Sequence, residues 1–159
     1  MKKVLIALDY DPTAQKIAEA GYGLAKAMNA RTILLHVISD PVYYSSLNYS
    51  PIMGFDGFNS IDTIQPEAAD ELKKTAQNFL EESKKFLGDE SIETVVSSGE
   101  FGDAILETAR KLNADIIVLG THGRRGLDKI LVGSVTENVL RDSLIPLYII
   151  PTKGIQENK

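Results

Sequence analysis

Five short apolar runs, most of them rich in Val and Ile, constrain the fold of this chain more than any other feature. The runs are Val4–Leu8, Thr32–Ile38, Ile92–Val96, Ile116–Leu119 and Leu147–Ile150. A continuous apolar run of this length is typical of a strand that is covered on both faces in a parallel sheet. Because segments with helical periodicity alternate with the runs, we expect an α/β fold, a single-domain open parallel five-stranded sheet with helices on both faces.

Four segments between the runs repeat apolar residues at helical spacing. We expect helices that begin near Pro12 and Pro66 and others that cover Asp103–Leu112 and Ser134–Arg141. Asp11 is expected to cap the first helix, with Pro12 at its first helical position. Gly88 marks the end of the second helix. Ser134 and Glu137 fit a capping box, S-x-x-E, at the start of the last one.

The length and composition of the chain limit the number of domains and the classes of partner. A chain of 159 residues is suited to one domain with a single core. We expect that domain to span residues 1–152, with a polar C-terminal tail at 153–159. The net charge of −5 argues against a broad surface for nucleic acid or anionic membranes. The absence of cysteine excludes disulfides, thiolate metal sites and a cysteine nucleophile.

Neither a membrane span nor a signal peptide is predicted. No apolar run approaches the ~20 residues that cross a bilayer. The first run, in MKKVLIALD, is shorter than the roughly 7 to 15 residues of a signal-peptide core. We therefore expect a cytoplasmic protein without a membrane or nucleic-acid partner.

A long connection, residues 39–65, interrupts the alternation of strands and helices. It has no clear period, and prolines and glycines such as Pro41, Pro51 and Gly54 break any element within it. It also carries several tyrosines and phenylalanines and no Lys or Arg, unlike a flexible linker. We interpret it as an insert that forms a lid or a subunit contact, with folding back onto its own domain as the alternative.

The predicted sheet also predicts where a ligand would bind. In an open parallel sheet, ligands bind beyond the carboxyl ends of the strands, where the strand order reverses. The two most polar strand exits are Asp9, after the first run, and Gly120, after the fourth. If those strands are neighbours in the order 3-2-1-4-5, Asp9 lies across a crevice from Gly120. Asp9 is then a candidate ligand for a substrate or metal, with a solvated strand end as the simpler interpretation.

The stretch Gly120–Ser134, GTHGRRGLDKILVGS, joins the fourth run to the last predicted helix. Glycine permits positive φ and a close approach of the backbone to a ligand, and amides at a helix N-terminus attract anions. The stretch therefore predicts a phosphate site. Its basic residues Arg124, Arg125 and Lys129 either balance phosphate charge or belong to a solvated loop.

Three known kinds of phosphate site do not match. A dinucleotide site needs G-x-G-x-x-G after the first strand, where this chain has LDYDPT. A P-loop needs a lysine between its last glycine and the hydroxyl residue, but Gly133 and Ser134 are adjacent. A response-regulator receiver needs an aspartate at the end of the third strand, where Ser97 and Ser98 stand.

The remaining pattern is G-x-x-G, nine residues and G-S, placed between a strand and a helix. With Gly120-Thr121-His122-Gly123 and Gly133-Ser134, the chain resembles the universal stress protein family in its ATP-binding branch. The segments Lys3–Asp9, Val135–Val139 and Ile145–Ile150 resemble it as well. The similarity covers nearly the whole chain apart from the insert.

This resemblance implies a Rossmann-like fold, akin to the adenine-nucleotide alpha-hydrolases, with strand order 3-2-1-4-5. It also implies a homodimer paired through the last strand, Leu147–Ile150, and bound ATP with Mg2+ or Mn2+. An apolar edge strand bracketed by prolines favours such pairing independently. The family's nucleotide contacts, carried onto this sequence, are Ala7, Leu8 and Asp9 at the adenosine, Val37 at the adenine, Gly120, Thr121, His122, Gly123, Arg124, Arg125 and Gly126 around ribose and phosphates, and Gly133, Ser134, Val135 and Thr136 at the phosphates. Asp9 would share a metal ion with phosphate oxygens.

We expect an ATP-binding regulatory module of the stress response with little or only slow hydrolysis. Hydrolysis needs a group that positions water near the γ-phosphate, and His122 and the basic residues of the loop are not expected to act in this way, so no residue is assigned a catalytic role. His36, within an apolar run, is expected to be a hydrogen-bonded core residue. A protein-interaction module of the same fold that uses the insert is the main alternative, and a phosphate-ester enzyme is a third.

Overall fold

The computed structural model describes residues 1–39, 69–121 and 133–152 of the chain. In chain order the elements are β1 (Lys3–Ala7), α1 (Ala14–Ala27), β2 (Arg31–Ile38), α2 (Ala69–Leu87), β3 (Glu93–Ser98), α3 (Phe101–Lys111), β4 (Ile116–Gly120), α4 (Ser134–Asp142) and β5 (Leu147–Ile150). All neighbouring strands are parallel, and their order is β3-β2-β1-β4-β5. The predicted fold and strand order are therefore confirmed. The insert beyond Ser39, including its aromatic residues, lies outside the described residues, as does Pro66.

The two faces of the sheet carry separate hydrophobic cores. Val4 and Ile6 of β1 pack with α1 and α2 on one face. Leu5, between them, packs with α3 and α4 on the other face. All three side chains are fully buried. Because successive side chains of a strand point to opposite faces, covering both faces requires the unbroken apolar run that is seen in the sequence.

The start of α1 differs from the predicted start. The N-cap is Thr13, and Ala14 is the first helical residue, so the prediction that Asp11 caps the helix with Pro12 at its first position was wrong. Instead, Asp11 Oδ1 accepts hydrogen bonds from the Thr13 amide at 2.9 Å and the Thr13 hydroxyl at 2.7 Å. An aspartate that bonds two residues ahead forms a local turn. This turn precedes α1 and delays its start.

The start of α4 also differs. Its N-cap is Gly133, with extended backbone at φ −67° and ψ 158°, and no side chain caps the helix. The predicted capping box of Ser134 and Glu137 was therefore wrong, because Ser134 already has helical backbone. The physical reason is that the Gly133 amide donates to Thr121 O, a contact that holds the extended residue one position before the serine.

The other boundaries shift by a few residues. The second helix ends at Leu87, and Gly88 follows with φ +71°, in the left-handed conformation expected of a C-terminal glycine. β3 ends at Ser98, two residues later than predicted, because its pairing with β2 continues to Ile38. In contrast, β5 has the predicted bounds.

Two glycines of α1 provide a matched test of this packing. A Cβ at Gly21 would lie 2.7 Å from Ile6 Cδ1 and 3.1 Å from Val118 Cγ1, whereas a Cβ at Gly23 would meet nothing within 4 Å. We expect Gly21→Ala to lower the free energy of unfolding by about 1–3 kcal/mol through overpacking. Gly23→Ala should raise it by roughly 0.5–1 kcal/mol, since alanine favours helix. Urea denaturation measures both, and equal effects of the two substitutions would contradict the packing of α1 on β1 and β4.

Candidate functional site

The candidate site lies at the carboxyl ends of β1 and β4. β1 pairs with β2 on one side and with β4 on the other, so the strand order reverses between β1 and β4. The chain leaves β1 towards α1 on one face, and the chain beyond β4 resumes as α4 on the opposite face. Diverging connections of this kind open a crevice at the edge of the sheet. Asp9 and Gly120 therefore stand at the two neighbouring strand exits, as the sequence predicts.

Two hydrogen bonds join the ends of the glycine-rich loop, residues 122–132. The Gly133 amide donates to Thr121 O. The Thr136 hydroxyl donates to Gly120 O at 2.7 Å, which holds the first turn of α4 against the end of β4. The described residues on either side of the loop, Thr121 and Gly133, are therefore held next to each other. The predicted contact residues His122, Gly123, Arg124, Arg125 and Gly126 lie outside the described residues.

Gly120 has a packing role that its sequence context does not reveal. A Cβ there would lie 2.4 Å from Ile17 Cδ1 and 3.1 Å from Thr152 Cγ2. Neither Gly120 nor Gly133 has a positive φ, so positive φ does not explain these two glycines, while the close approach of a ligand to their backbone stays a prediction. Gly120 instead lets α1 and the segment after β5 approach the end of β4.

The hydroxyl groups at this edge of the sheet differ in whether they are already hydrogen-bonded within the protein or exposed to a ligand. Thr136 is buried, and its proton is used by Gly120 O. The Thr121 hydroxyl contacts the backbone and side chain of Thr152. Ser134, by contrast, is exposed at the first position of α4. The first amides of a helix lack acceptors within the helix, so the amides of Ser134 and Val135 and the Ser134 hydroxyl are the donors of α4 best placed to bind an anion.

The predicted adenosine contacts are divided between the two faces of the sheet. Ala7 and Val37 pack with the core beneath α3 and α4, and Val135 packs there as well. Leu8 belongs to the core beneath α1 and α2. The structure thus brings Ala7, Val37 and Val135 to one face and places the Leu8 side chain on the other. The side chains of Leu8 and Val37 are buried within the protein.

Asp9 is half-buried and belongs to a short hydrogen-bonded turn. Its Oδ1 accepts the Asp11 amide at 3.2 Å. Asp11 in turn holds Thr13, so the chain from Asp9 to the start of α1 is tied at two successive points. This turn sets the position of the Asp9 carboxylate at the crevice. Within residues 1–39, 69–121 and 133–152, no three His, Asp or Glu side chains come together as a metal site would require.

His36 supports the end of β1 from below the site. It is only 2% exposed, and its Nδ1 lies 2.8 Å from Leu8 O, so Nδ1 carries the proton that this carbonyl accepts. Its ring lies 4.3 Å from the ring of Tyr10 and 5.7 Å from that of Phe79. The expectation of a hydrogen-bonded core histidine is confirmed. Burial lowers the pKa of His36 from 6.5 to about 4, against the opposing effect of the Leu8 carbonyl.

The lowered pKa predicts a loss of stability in acid. Between pH 6.5 and about 4, the unfolded chain binds a proton at His36 that the folded chain excludes. The free energy of unfolding should therefore fall as the pH decreases through this window, by at most about 1.4 kcal/mol per pH unit from this group. Above pH 6.5 this contribution is constant. His36→Asn keeps an N–H donor but does not titrate, so the free energy of unfolding of this variant should fall less steeply as the pH decreases.

Urea denaturation of both proteins at several pH values tests this prediction. Carboxylates titrate in both chains and cancel in the difference between the two curves. Parallel curves for the wild type and His36→Asn between pH 6.5 and 4.5 would contradict a buried neutral His36.

The comparisons with known proteins agree with this architecture. The sequence profile of the Universal stress protein family matches residues 1–151. The chain belongs to the universal stress protein family. It is 33% identical over 157 residues to Universal stress protein MJ0577 of Methanocaldococcus jannaschii, with 96% of each protein covered. The solved structure of MJ0577 superposes on this universal stress protein with a TM-score of 0.72, at 28% identity and 96% coverage of both chains.

A second solved structure extends the comparison of folds. It is a universal stress protein in complex with cAMP, which matches with a TM-score of 0.63 at 21% identity and covers 94% of this chain and 96% of that one. At this identity the match supports the shared Rossmann-like α/β fold alone. In the described part of this universal stress protein, no helix is long and apolar enough to cross a membrane.

Proposed function

We propose that this universal stress protein binds ATP in the crevice between the ends of β1 and β4 and acts as a nucleotide-dependent regulatory module of the stress response. One observation carries the proposal. The bonds from Gly133 to Thr121 and from Thr136 to Gly120 hold the N-terminus of α4 beside the point where the strand order reverses. A helix N-terminus in that position presents amides and a positive dipole end to a phosphate.

The charge of the loop supports phosphate as the ligand. Residues 122–132 contain Arg124, Arg125 and Lys129 against a single acid, Asp128, within a chain of net charge −5. A local positive charge in an acidic protein attracts a multiply charged anion to one place rather than to the whole surface. We propose that these residues balance the triphosphate while the amides of α4 bind its oxygens.

Asp9 is the proposed ligand for a divalent cation. Mg2+ and Mn2+ prefer oxygen ligands, and Mg2+ is commonly held by one or two carboxylates together with substrate phosphates. Asp9 Oδ1 accepts the Asp11 amide at 3.2 Å, which holds the carboxylate at the exit of β1. The residues present therefore fit a cation that is shared with ATP. The cation would neutralise phosphate charge, and Asp9 would orient it from the β1 side of the crevice.

Adenine nucleotides are the proposed ligand class for a further reason. One member of the family was solved in complex with cAMP, at 21% identity to this chain. That ligand is an adenine nucleotide with a single phosphate. We propose ATP here because the length of the loop, residues 122–132, and its basic residues suit a longer phosphate chain.

We propose that ATP is held with little or slow hydrolysis. Fast hydrolysis needs a base or water-orienting group beside the γ-phosphate. In this proposal Asp9 binds the cation, and the loop adds His122 and basic residues. Nucleotide binding would then act by changing the shape of the protein or the partner that it binds.

Two measurements test ATP binding directly. Freshly purified protein is denatured and the released small molecules are chromatographed, and the protein is titrated with ATP and Mg2+ by calorimetry. We expect bound adenine nucleotide or a dissociation constant below millimolar. Neither released nucleotide nor binding up to millimolar ATP would overturn the proposal. ADP and cAMP titrated in parallel would rank the contribution of the phosphates.

We also propose a homodimer that pairs through β5. β5 is an edge strand with one partner, β4, in the described sheet. Apolar side chains on and beside it are exposed, namely Leu140 at 57%, Leu144 at 99% and Tyr148 at 41%. An apolar edge strand that is left open is a pairing hazard, and a second copy would cover both the edge and these side chains.

An interaction module that binds no nucleotide is the second candidate. The observation that favours it is the close packing of Ile17 and Thr152 around Gly120, which explains this glycine without a ligand. Substitution at Gly133 separates the two candidates, because its extended backbone does not require glycine and a larger residue there should leave the fold intact. Loss of ATP binding in a folded variant would then favour the nucleotide-binding candidate.

A further inference from the structure

The segment that follows β5 returns to the start of the glycine-rich loop. Thr152 is 6% exposed, and its amide donates to Thr121 Oγ1 at 3.0 Å. The two hydroxyl oxygens lie 3.0 Å apart, in hydrogen-bond contact. These bonds join residues 31 positions apart in sequence. They therefore connect the last strand to the residue from which the loop departs.

The amide, the carbonyl and the hydroxyl of Thr121 each form a hydrogen bond. Its amide donates to Ile150 O at 2.9 Å, and its carbonyl accepts the Gly133 amide. Its hydroxyl is held by Thr152. Because Gly133 is the N-cap of α4, the position of Thr121 sets where the loop leaves β4 and also where the amides of α4 begin.

The side chain of Thr152 also limits the position of Gly120. Thr152 Cγ2 and Ile17 Cδ1 both lie against the site where a Cβ of Gly120 would be. The end of β4 is thus enclosed by α1 on one side and by Thr152 on the other. The hydroxyl contact of this partly buried pair is one of two bonds between Thr152 and Thr121 Oγ1, and the Thr152 amide makes the other. Loss of the Thr152 hydroxyl therefore weakens the link by one hydrogen bond and leaves the backbone bond in place.

We propose that Thr152 is a positioning residue for the nucleotide site. It fixes Thr121, the residue before the glycine-rich loop, and, through Gly133, the N-terminus of α4, where the phosphates are proposed to bind. The inference rests on the proposed function and adds a residue outside the loop to the site. Thr152 contacts no nucleotide in this scheme and acts by holding Thr121 and the N-terminus of α4 in the binding geometry in advance, which lowers the cost of binding ATP.

The test compares three variants by calorimetric titration with ATP and Mg2+. Thr152→Val keeps the shape but removes the hydroxyl, and Thr152→Ser keeps the hydroxyl but removes the methyl group. Thr32→Val is the matched control, because Thr32 is similarly buried at 5% but lies at the amino end of β2. We expect Thr152→Val to raise the dissociation constant about tenfold, the fold-change that one hydrogen bond of ordinary strength corresponds to. Thr152→Ser and Thr32→Val should bind within about twofold of the wild type, which is within the usual effect of a substitution that removes no such bond.

Thermal unfolding of the same proteins separates positioning from general stability. If the inference is correct, only Thr152→Val loses affinity, whatever stability each of the two valine variants loses. Unchanged affinity in Thr152→Val, or an equal loss in Thr152→Ser, would overturn the role of the hydroxyl. If the wild type itself binds no ATP, the proposed function fails first and the inference with it. If the wild type binds and the variants do not differ, only the inference fails.

Discussion

Replacement of Gly133 by aspartate is expected to weaken the proposed ATP binding strongly while leaving the fold intact. Gly133 is the N-cap of α4 and has extended backbone that any residue adopts. Aspartate is a favourable N-cap, since its carboxylate accepts amides of the first turn and interacts well with the helix dipole. The same carboxylate would occupy the amides proposed to bind phosphate and repel it.

The size of the effect follows from electrostatics. Two unit charges about 5 Å apart at an effective dielectric constant of about 20 repel by roughly 3 kcal/mol, which corresponds to an affinity loss on the order of 100-fold. Gly133→Asn is the matched control, because it caps the helix without a charge. We expect its loss of affinity to be smaller and nearly independent of salt.

Calorimetric titration with ATP and Mg2+ measures the affinity, and thermal unfolding checks that the fold persists. An aspartate variant that binds ATP as tightly as the wild type would place the phosphates away from α4. If neither the wild type nor the variants bind ATP, the interaction module becomes the better explanation of the fold.

Charged substitutions at two exposed leucines are expected to convert the proposed dimer into a monomer. Leu140 lies on the exposed side of α4, and Leu144 lies in the connection to β5. Neither contributes to the described cores, so Leu140→Asp with Leu144→Asp should fold normally. Burial of one such side chain stabilises an interface by about 1.5–3 kcal/mol, so the double variant should raise the dimer dissociation constant by at least about 100-fold.

The backbone of β5 also supports pairing of two copies through this strand. Ile117 N donates to Pro146 O, and Thr121 N donates to Ile150 O, so residues 146 and 150 direct their carbonyls towards β4. By the alternation of a strand, the amides and carbonyls of Leu147 and Ile149 face the open edge. They are the groups through which a second copy would extend the sheet.

Sedimentation at micromolar concentration measures the association. Phe86→Asp is the control, because Phe86 is also exposed, at 44%, but lies on α2, which packs against β2 and β3 at the other side of the sheet. A wild-type monomer would contradict the proposed dimer. A double variant that remains dimeric while Phe86→Asp dissociates would place the interface on the α2 side.

Much of the architecture is predictable from the sequence because the strands need apolar residues on both faces. The runs at Val4–Leu8 and Leu147–Ile150 predicted β1 and β5 to within one residue, and the strand order 3-2-1-4-5 is confirmed. The polar exits at Asp9 and Gly120 were likewise predicted to be neighbours, which follows once β1 and β4 pair. The nucleotide contacts themselves stay a prediction.

Local signals at the ends of helices were less informative. Asp11 and Ser134 both have the residue type of an N-cap, yet neither caps its helix. Asp11 bonds to Thr13 instead, and Ser134 is displaced by the bond between Gly133 and Thr121. In each case another hydrogen bond determined the boundary. The Asp11 bond forms a local turn, which competes with capping for the same residue type, whereas the partner of Gly133 lies twelve positions away and cannot be identified from local spacing.

The sequence by itself determined the alternation of strands and helices and the place of the glycine-rich loop in the chain between β4 and α4, because these depend on periodicity and on burial of apolar runs. The strand order was implied by the family resemblance, and the structure confirms it. Only the tertiary structure decided why Gly120 is a glycine, that His36 supports Leu8, and that Thr152 holds Thr121. These contacts join residues separated by many positions in the chain. Their distances depend on how α1, β2 and the segment after β5 pack around β1 and β4, which no local pattern encodes.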